Sequence, residues 1–304
     1  MARVVCAGHV NWDVTLRVDT LPEPDGEVRL TDQSSSGGGS AANTAVALAG
    51  LDVPCGLVGS VGDDEHGTLL RGSLNEHGVD LAGLQTVAGV ETTVKYLIVD
   101  AAGEVMVLGN AGANEAVTAE DIDPALLQSV EHLHLTGQRP ETAAELARRG
   151  QAVGATVSFD PGRRFADRDF DATLETADLL FLNDREADAV PESAAGGIRD
   201  SIVVRKLGRS GAEVRVDGEV ISHDGFDVDP VDSTGAGDAF AAGFMAARLE
   251  GAGYRDALAY GNACGALTTA AQGGWVAPSR AEVHALLDRA GAGLDHRLDG
   301  ETVE

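Results

Sequence analysis

Lysine is nearly absent from this sequence. Of its 22 basic residues only Lys95 and Lys206 are lysines, against 49 Asp and Glu, for a net charge of −27 over 304 residues. A surface so acidic repels phosphate backbones and anionic headgroups, which excludes nucleic acid and membrane surfaces as partners. Its self-repulsion is large at low ionic strength and is screened by salt. Scarce lysine with abundant Asp, Glu and Ala predicts a halophilic source. Aromatics make up 4% of the chain, so few rings could stack a base. Cys6, Cys55 and Cys264 are widely spaced and odd in number. That fits neither a disulfide framework nor a zinc site, and predicts buried free thiols. No apolar run is long enough to span a bilayer and no targeting pattern opens the chain, so a cytoplasmic protein is expected. No GxxxxGK[ST] is present, which removes the P-loop route to a nucleotide.

What is present is organised around Asp232-Ser233-Thr234-Gly235-Ala236-Gly237-Asp238-Ala239-Phe240. An extended stretch over 225–231 precedes it and an apolar-faced helix over 239–250 follows. Gly235-Ala236-Gly237 therefore predicts a tight turn at a helix N-terminus, where free N–H groups and the helix dipole favour an anion. Asp238 beside such an anion hole would be repelled by a bound phosphate. Its chemistry suits removal of a proton from a hydroxyl that attacks that phosphate; its simpler use is to cap the helix.

Short apolar runs at 3–8, 132–135, 156–159, 179–182 and 202–206 alternate with helical patterns at 124–130, 141–151, 170–177 and 186–190, as a parallel sheet requires. Helices at 254–271 and 280–290 follow, with a polar tail over 291–304 that should fray. Asn11 and Asp13 lie just past the first strand, on the ligand-facing edge, and carry groups suited to sugar hydroxyls. Strands at 14–18, 27–32, 92–100 and 104–108 predict hairpins that make a small sheet of their own. Ser34–Asn43 reads as a glycine turn leading into a helix over 44–51. His132 and His134 share one strand face without further ligands, so no metal is expected there.

Residues 232–240 resemble the second signature of the ribokinase-like (PfkB) family of sugar and nucleoside kinases, with Ser233 where members usually have Thr. Gly38-Gly39 followed by Ala42-Asn43 resembles its first signature, and weaker likenesses lie between, so the resemblance spans roughly 3–280. It implies a three-layer α/β/α ribokinase-like domain over 1–290, with small lid strands inserted at about 12–34 and 91–110, and leaves a homodimer through the lid open. It implies an ATP-dependent kinase acting on an alcohol group, with Asp238 as base and Gly235, Ala236 and Gly237 as anion hole. Asn11, Asp13, Gly38, Gly39 and Asn43 would then bind the acceptor.

Asn183 and Glu186, in Asn183-Asp184-Arg185-Glu186, would hold Mg²⁺ through water; read alone they are a helix cap and its capping-box partner. Lys206, Gly208 and Gly211 resemble a nucleotide loop and Asn262 an adenine-side residue; Asp232 and Thr234 resemble ligands of a monovalent cation such as K⁺. Asp160-Pro161-Gly162-Arg163-Arg164 departs from the family's Asp-Pro-Asn-x-Arg at Gly162. Lys95 is either a solvent-facing strand charge or, with Arg139, a contact to a phosphate already on the substrate. The acceptor is left open among a free sugar or sugar acid, a nucleoside, and a phosphosugar such as ribose 1-phosphate. A non-catalytic ligand-binding protein on the same fold would not need Asp238 beside the glycine turn.

Overall fold

The central strands are short apolar runs because helices cover both their faces. The computed structural model describes residues 2–190 and 201–292. In chain order the first half has β1 (Val4–Ala7), β2 (Asn11–Val18), β3 (Leu30–Gly38), α1 (Ser40–Gly50), β4 (Cys55–Gly62), α2 (Glu65–Glu76) and β5 (Leu84–Val87). Next come β6 (Val94–Val99), β7 (Val105–Gly109), β8 (His132–Thr136), α3 (Pro140–Ala152), β9 (Thr156–Asp160), α4 (Asp171–Leu174), β10 (Leu179–Asn183) and α5 (Asp184–Asp188). The last part has β11 (Ile202–Lys206), β12 (Ala212–Val216), β13 (Glu219–His223), α6 (Ala236–Leu249), α7 (Tyr254–Thr269) and α8 (Arg280–Ala290).

The main sheet has nine strands in the order β13-β12-β11-β10-β9-β8-β1-β4-β5. All are parallel from β11 through β5; β12 and β13 add an antiparallel edge. Side chains alternate between the two faces with the strand period. Val4, Cys6, Phe181 and Val204 join the core under α1, α6, α7 and α8, while Val5, Ala7, Leu180, Leu182 and Val203 join the core under α3 and α4. This is the expected three-layer α/β/α arrangement. The winding direction reverses between β1 and β8. A crevice opens beyond the carboxyl ends of strands at such a reversal, so His9–Asn11 and Gly137–Arg139 flank the ligand position this topology favours.

A second sheet, ordered β3-β2-β6-β7, forms the lid; β2 and β6 run parallel and its other pairs are antiparallel. Here the chain departs from expectation. Ser34–Gly38 is no turn: it pairs with β2 from Thr15↔Ser34 to Asn11↔Gly38, and only Gly39 (φ 97°) turns the chain into α1. Gly38 is needed because a Cβ there would lie 2.1 Å from Asp13 Oδ2. The helix expected over 124–130 is a 3₁₀ turn at Pro124–Leu127, and that over 170–177 shortens to α4. The stretch 225–231 joins no sheet, and β5 carries no period strong enough to be read beforehand. Of the tail, Gly291 closes α8 at φ 68°, and 293–304 lie outside the described residues.

All three cysteines are buried and free. His132 Nε2 and His134 Nδ1 both meet Ser158 Oγ, at 2.7 and 2.8 Å. One hydroxyl donates a single proton, so it serves one ring as donor and the other as acceptor. Burial pushes both histidines down to about 3, so they stay neutral. Ser158→Ala strands both ring nitrogens in the core and should cost about 1–3 kcal/mol; unchanged thermal unfolding would refute this pairing.

Candidate active site

Gly235 sits at φ 76° and caps α6, which begins at Ala236 rather than at 239. Ala236 and Gly237 thus lie in the first turn, where the Ala236 N–H already donates to Ser233 O at 3.3 Å, and Asp238 stands in the same turn at the positive end of the helix. A helix N-terminus ordinarily favours the ionised carboxylate. Here burial outweighs it, with Asp160 adding a like charge, and Asp238 is pushed up to about 7 against the pull of Asn43, Lys206 and Lys95. Asn43 Nδ2 donates to Asp238 Oδ2 at 2.7 Å. Asn43, expected only to face an acceptor, therefore also fixes the carboxylate.

Asn11 and Asp13 are two apart on β2 and share a face. Both are buried, with Asn43, yet Asn11 Nδ2, Asp13 Oδ1 and Asn43 Oδ1 have no hydrogen-bond partner among the described residues. Buried polar atoms are normally paired, so a group of three suggests a ligand rich in hydroxyls. Asn11 Oδ1 accepts from Asn114 Nδ2, a partner that carried no signal in the sequence. Burial pushes Asp13 up to about 6, with Lys95 pulling down and Asp232 pushing up. Lys95 pairs directly across from Asp13 in the β2–β6 register, so it faces the same region instead of solvent. Burial lowers its pKa, Asp13 and Asp238 oppose that, and Arg163 and Arg164 reinforce it.

Arg139 precedes Pro140 at the start of α3 and lines a 720 Å³ cavity with Glu115, Arg168 and Thr173; it also meets Gly8 and His9 at the sheet's reversal point. Arg168 forms a two-pronged ion pair with Glu115 at 2.7 and 3.1 Å, and His9 Nε2 meets Glu115 at 3.0 Å. Burial pushes Glu115 up, but these hydrogen bonds outweigh it and hold the carboxyl at about 2. Neither Arg168 nor Glu115 was legible, because their partners are far apart in sequence.

On the nucleotide side Lys206 Nζ lies 2.5 Å from Asp160 Oδ2, so the lysine expected on ATP already has a carboxylate. Burial pulls Lys206 down, but Asp160 and Glu186 outweigh it and its pKa is raised. It lies under the anion hole: a Cβ on Gly237 would be 3.6 Å from its Nζ. Asn183 and Glu186 form a reciprocal capping box at 2.9 Å in each direction. Burial and Asp160 raise the Glu186 pKa. Gly208 (φ 58°) and Gly211 (φ 95°) bound one 3₁₀ turn; Gly211 packs on His223 O, while Gly208 faces open space. Asn262 Nδ2 donates to His223 O at 3.1 Å, so its amide holds the chain after β13. Asp232 accepts from Thr234 N at 2.9 Å and Gly273 N at 3.2 Å, tying the signature to the 272–275 turn.

The pattern of "pfkB family carbohydrate kinase" matches residues 1–279. A Halopiger xanaduensis protein described as an ATP-dependent ribose-1-phosphate kinase is 55% identical over 291 residues, covering 94% of this chain and 98% of that one. Ribokinase of Thermotoga maritima superposes with a TM-score of 0.83 at 28% identity, covering 95% and 100% of the two chains. Arabidopsis thaliana ribokinase, solved with ribose and ATP, gives 0.82 at 25% identity, covering 94% and 99%.

The Lys206–Asp160 pair yields a stability prediction. Lys206→Met leaves Asp160 without its cation and should cost about 3–5 kcal/mol. Adding Asp160→Asn should restore most of the loss; denaturant unfolding of the single and double variants checks both.

Proposed function

The chain belongs to the pfkB family of carbohydrate kinases, and from that premise we propose that this ATP-dependent sugar kinase acts on a phosphosugar, ribose 1-phosphate first among them. The observation that carries this reading is Lys95, half-buried across from Asp13 in the acceptor pocket. Asp13 and Asp238 act on that ammonium but form no ion pair with it among the described residues, and a neutral sugar would bring it none. The relative at 55% identity, described as a ribose-1-phosphate kinase, supports the same choice.

In the proposed reaction Asn11, Asp13 and Asn43 orient the acceptor through its hydroxyls. Asp238 takes the proton of the attacking hydroxyl as its oxygen bonds to the γ-phosphorus. The bond from that phosphorus to the β–γ bridging oxygen breaks, and ADP leaves with the electron pair. Amides of Gly235–Gly237 stabilise the developing negative charge, and Lys206 adds positive charge from beneath. Asn183 and Glu186, with Asp160 close by, offer the oxygen ligands a hard divalent cation needs. One Glu186 oxygen and the Asn183 oxygen are committed to the capping box, which suits holding Mg²⁺ through water. Bound there, Mg²⁺ would neutralise phosphate charge. K⁺ beside Asp232 and Thr234 would draw on backbone carbonyls, since Asp232 already accepts two N–H bonds. Gly208, Gly211 and Asn262 would shape the wall for the nucleotide. Exposed Tyr96, Val105 and Leu108 on the lid suit a homodimer through that sheet. The net charge of −27 suits a working medium of high salt.

The experiment is ADP release in high KCl with Mg²⁺, comparing ribose 1-phosphate, ribose, fructose phosphates and nucleosides. Turnover on ribose but not on any phosphosugar would overturn the substrate reading. Asp238→Asn should lower kcat at least ~10³-fold while ATP still binds. Asp238 must be ionised to accept a proton, so kcat/KM should fall as pH drops through about 7. Asn43→Ala removes a bond that holds this pKa down and should move the acid limb to higher pH. A flat profile to pH 5 would contradict the assignment.

A further inference from the structure

We propose that Asn114, on the loop after β7, is a positioning residue that sets the polarity of the acceptor pocket: it holds the Asn11 side chain so that the amide donor, not the carbonyl, meets the sugar. This role presupposes the sugar-kinase reading above, with Asn11 in the acceptor pocket.

The series of bonds begins at a backbone group. Val10 N–H donates to Asn114 Oδ1 at 3.1 Å. A backbone N–H only donates, so the atom of Asn114 that meets it must be the oxygen. The opposite orientation would set an NH₂ against an N–H and leave the donor of buried Val10 unpaired. With its Oδ1 committed, Asn114 turns Nδ2 to Asn11, whose Oδ1 accepts from it. Asn11 has only Nδ2 left, and that atom is buried with no hydrogen-bond partner among the described residues. Two amides in series thus carry the direction of one backbone N–H to the end of a side chain beside Asp13.

The loop holds Asn114 in place. Its own N–H donates to Thr93 Oγ1 at 3.2 Å, and that hydroxyl donates to Ala111 O at 2.9 Å. Ser60 Oγ, on β4, donates to Ala113 O at 2.6 Å. Gly112 (φ 49°) passes so close to Thr93 that a Cβ would lie 2.5 Å from its backbone. On the other side Glu115 (φ 67°) is held by Arg168 and His9. The chain is tied down before and after Asn114, the backing a donor needs if it is to discriminate between ligand atoms.

Fixed polarity has a consequence for recognition. Asn11 Nδ2 and Asp13 Oδ1 are buried, unpaired among the described residues, and on one face of β2. The first only donates and the second, when ionised, only accepts. A hydroxyl can accept from Asn11 while donating its own proton to Asp13. An ether oxygen cannot donate and an ammonium cannot accept, so neither completes both bonds.

The test is Asn114→Asp. The change is nearly isosteric and keeps an oxygen for Val10 N–H, but it puts a second oxygen where Nδ2 stood. Asn11 then turns its NH₂ to the new carboxylate and shows the sugar a carbonyl. Steady-state kinetics use whichever of ribose 1-phosphate, ribose and nucleosides the wild type phosphorylates, with thermal unfolding as a folding control. Asn114→Asp should raise KM for that acceptor roughly 10–100-fold, the loss expected when a buried donor is misplaced. It should leave kcat and KM for ATP within about twofold, the mark of lost acceptor binding alone. Asn11→Ala should raise the same KM, and adding Asn114→Asp to it should change KM by less than about twofold, because the positioned group is gone. An unchanged acceptor KM in folded Asn114→Asp would overturn the proposal. An equal rise in the Asn11→Ala background would overturn it too, since Asn114 would then act by another route. So would a disturbed KM for ATP, which would mark general damage to the site. A wild type that phosphorylates ribose and not ribose 1-phosphate would overturn the phosphosugar reading, and ribose would then decide the role of Asn114. One that phosphorylates none of these acceptors would overturn both.

Discussion

The site depends on keeping one carboxylate in a place where ionisation is disfavoured. Asp238 is half-buried, stands near Asp160, and would bind a proton too tightly to be useful if nothing opposed these effects. Three groups oppose them: the Asn43 amide, Lys206 and Lys95. The balance leaves its pKa near neutrality, where a base is both available and strong enough to take a proton. The only two lysines of the chain both act on this carboxylate. In a chain whose other twenty basic residues are arginine, lysine at these two places fits a need for compact point charges.

The architecture supplies that balance from distant segments. Asn43 comes from α1, Asp238 from α6, Asp160 from β9, Lys206 from β11, and Asp13 and Lys95 from the lid. The parallel sheet brings the ends of β9, β10 and β11 to one edge, and Gly38 lets the lid strand pass against Asp13. The lid therefore contributes charge as well as cover, since its Lys95 reaches the electrostatics of a carboxylate on the main domain.

Much of this was legible in the sequence. The strand–helix alternation foretold the α/β layers, and the glycine turn before Asp238 foretold a helix N-terminus. What eluded reading were partnerships across long separations. Lys206 looked like a nucleotide contact because its own segment resembles a nucleotide loop; its pairing with Asp160 depends on β9 and β11 flanking β10. Arg139 looked like a companion to Lys95 because it too follows a strand; Pro140 starts α3 at once, and what the sequence did not show is that Arg139 shares a cavity with Glu115 and Arg168. The Ser34–Gly38 run resembled a linker because serine and glycine lack a strand pattern; pairing with β2 overrode that propensity.

The most direct test of the account is the protonation of Asp238 itself. Carboxyl carbons of ¹³C-labelled aspartate can be followed by NMR across pH in the folded protein at high salt. The account predicts a resonance with a midpoint of about 7 that vanishes in Asp238→Asn and moves to higher pH in Asn43→Ala. If every aspartate titrates in the ordinary range near 4, the carboxylate is not held as described and the proposed proton acceptor loses its physical basis.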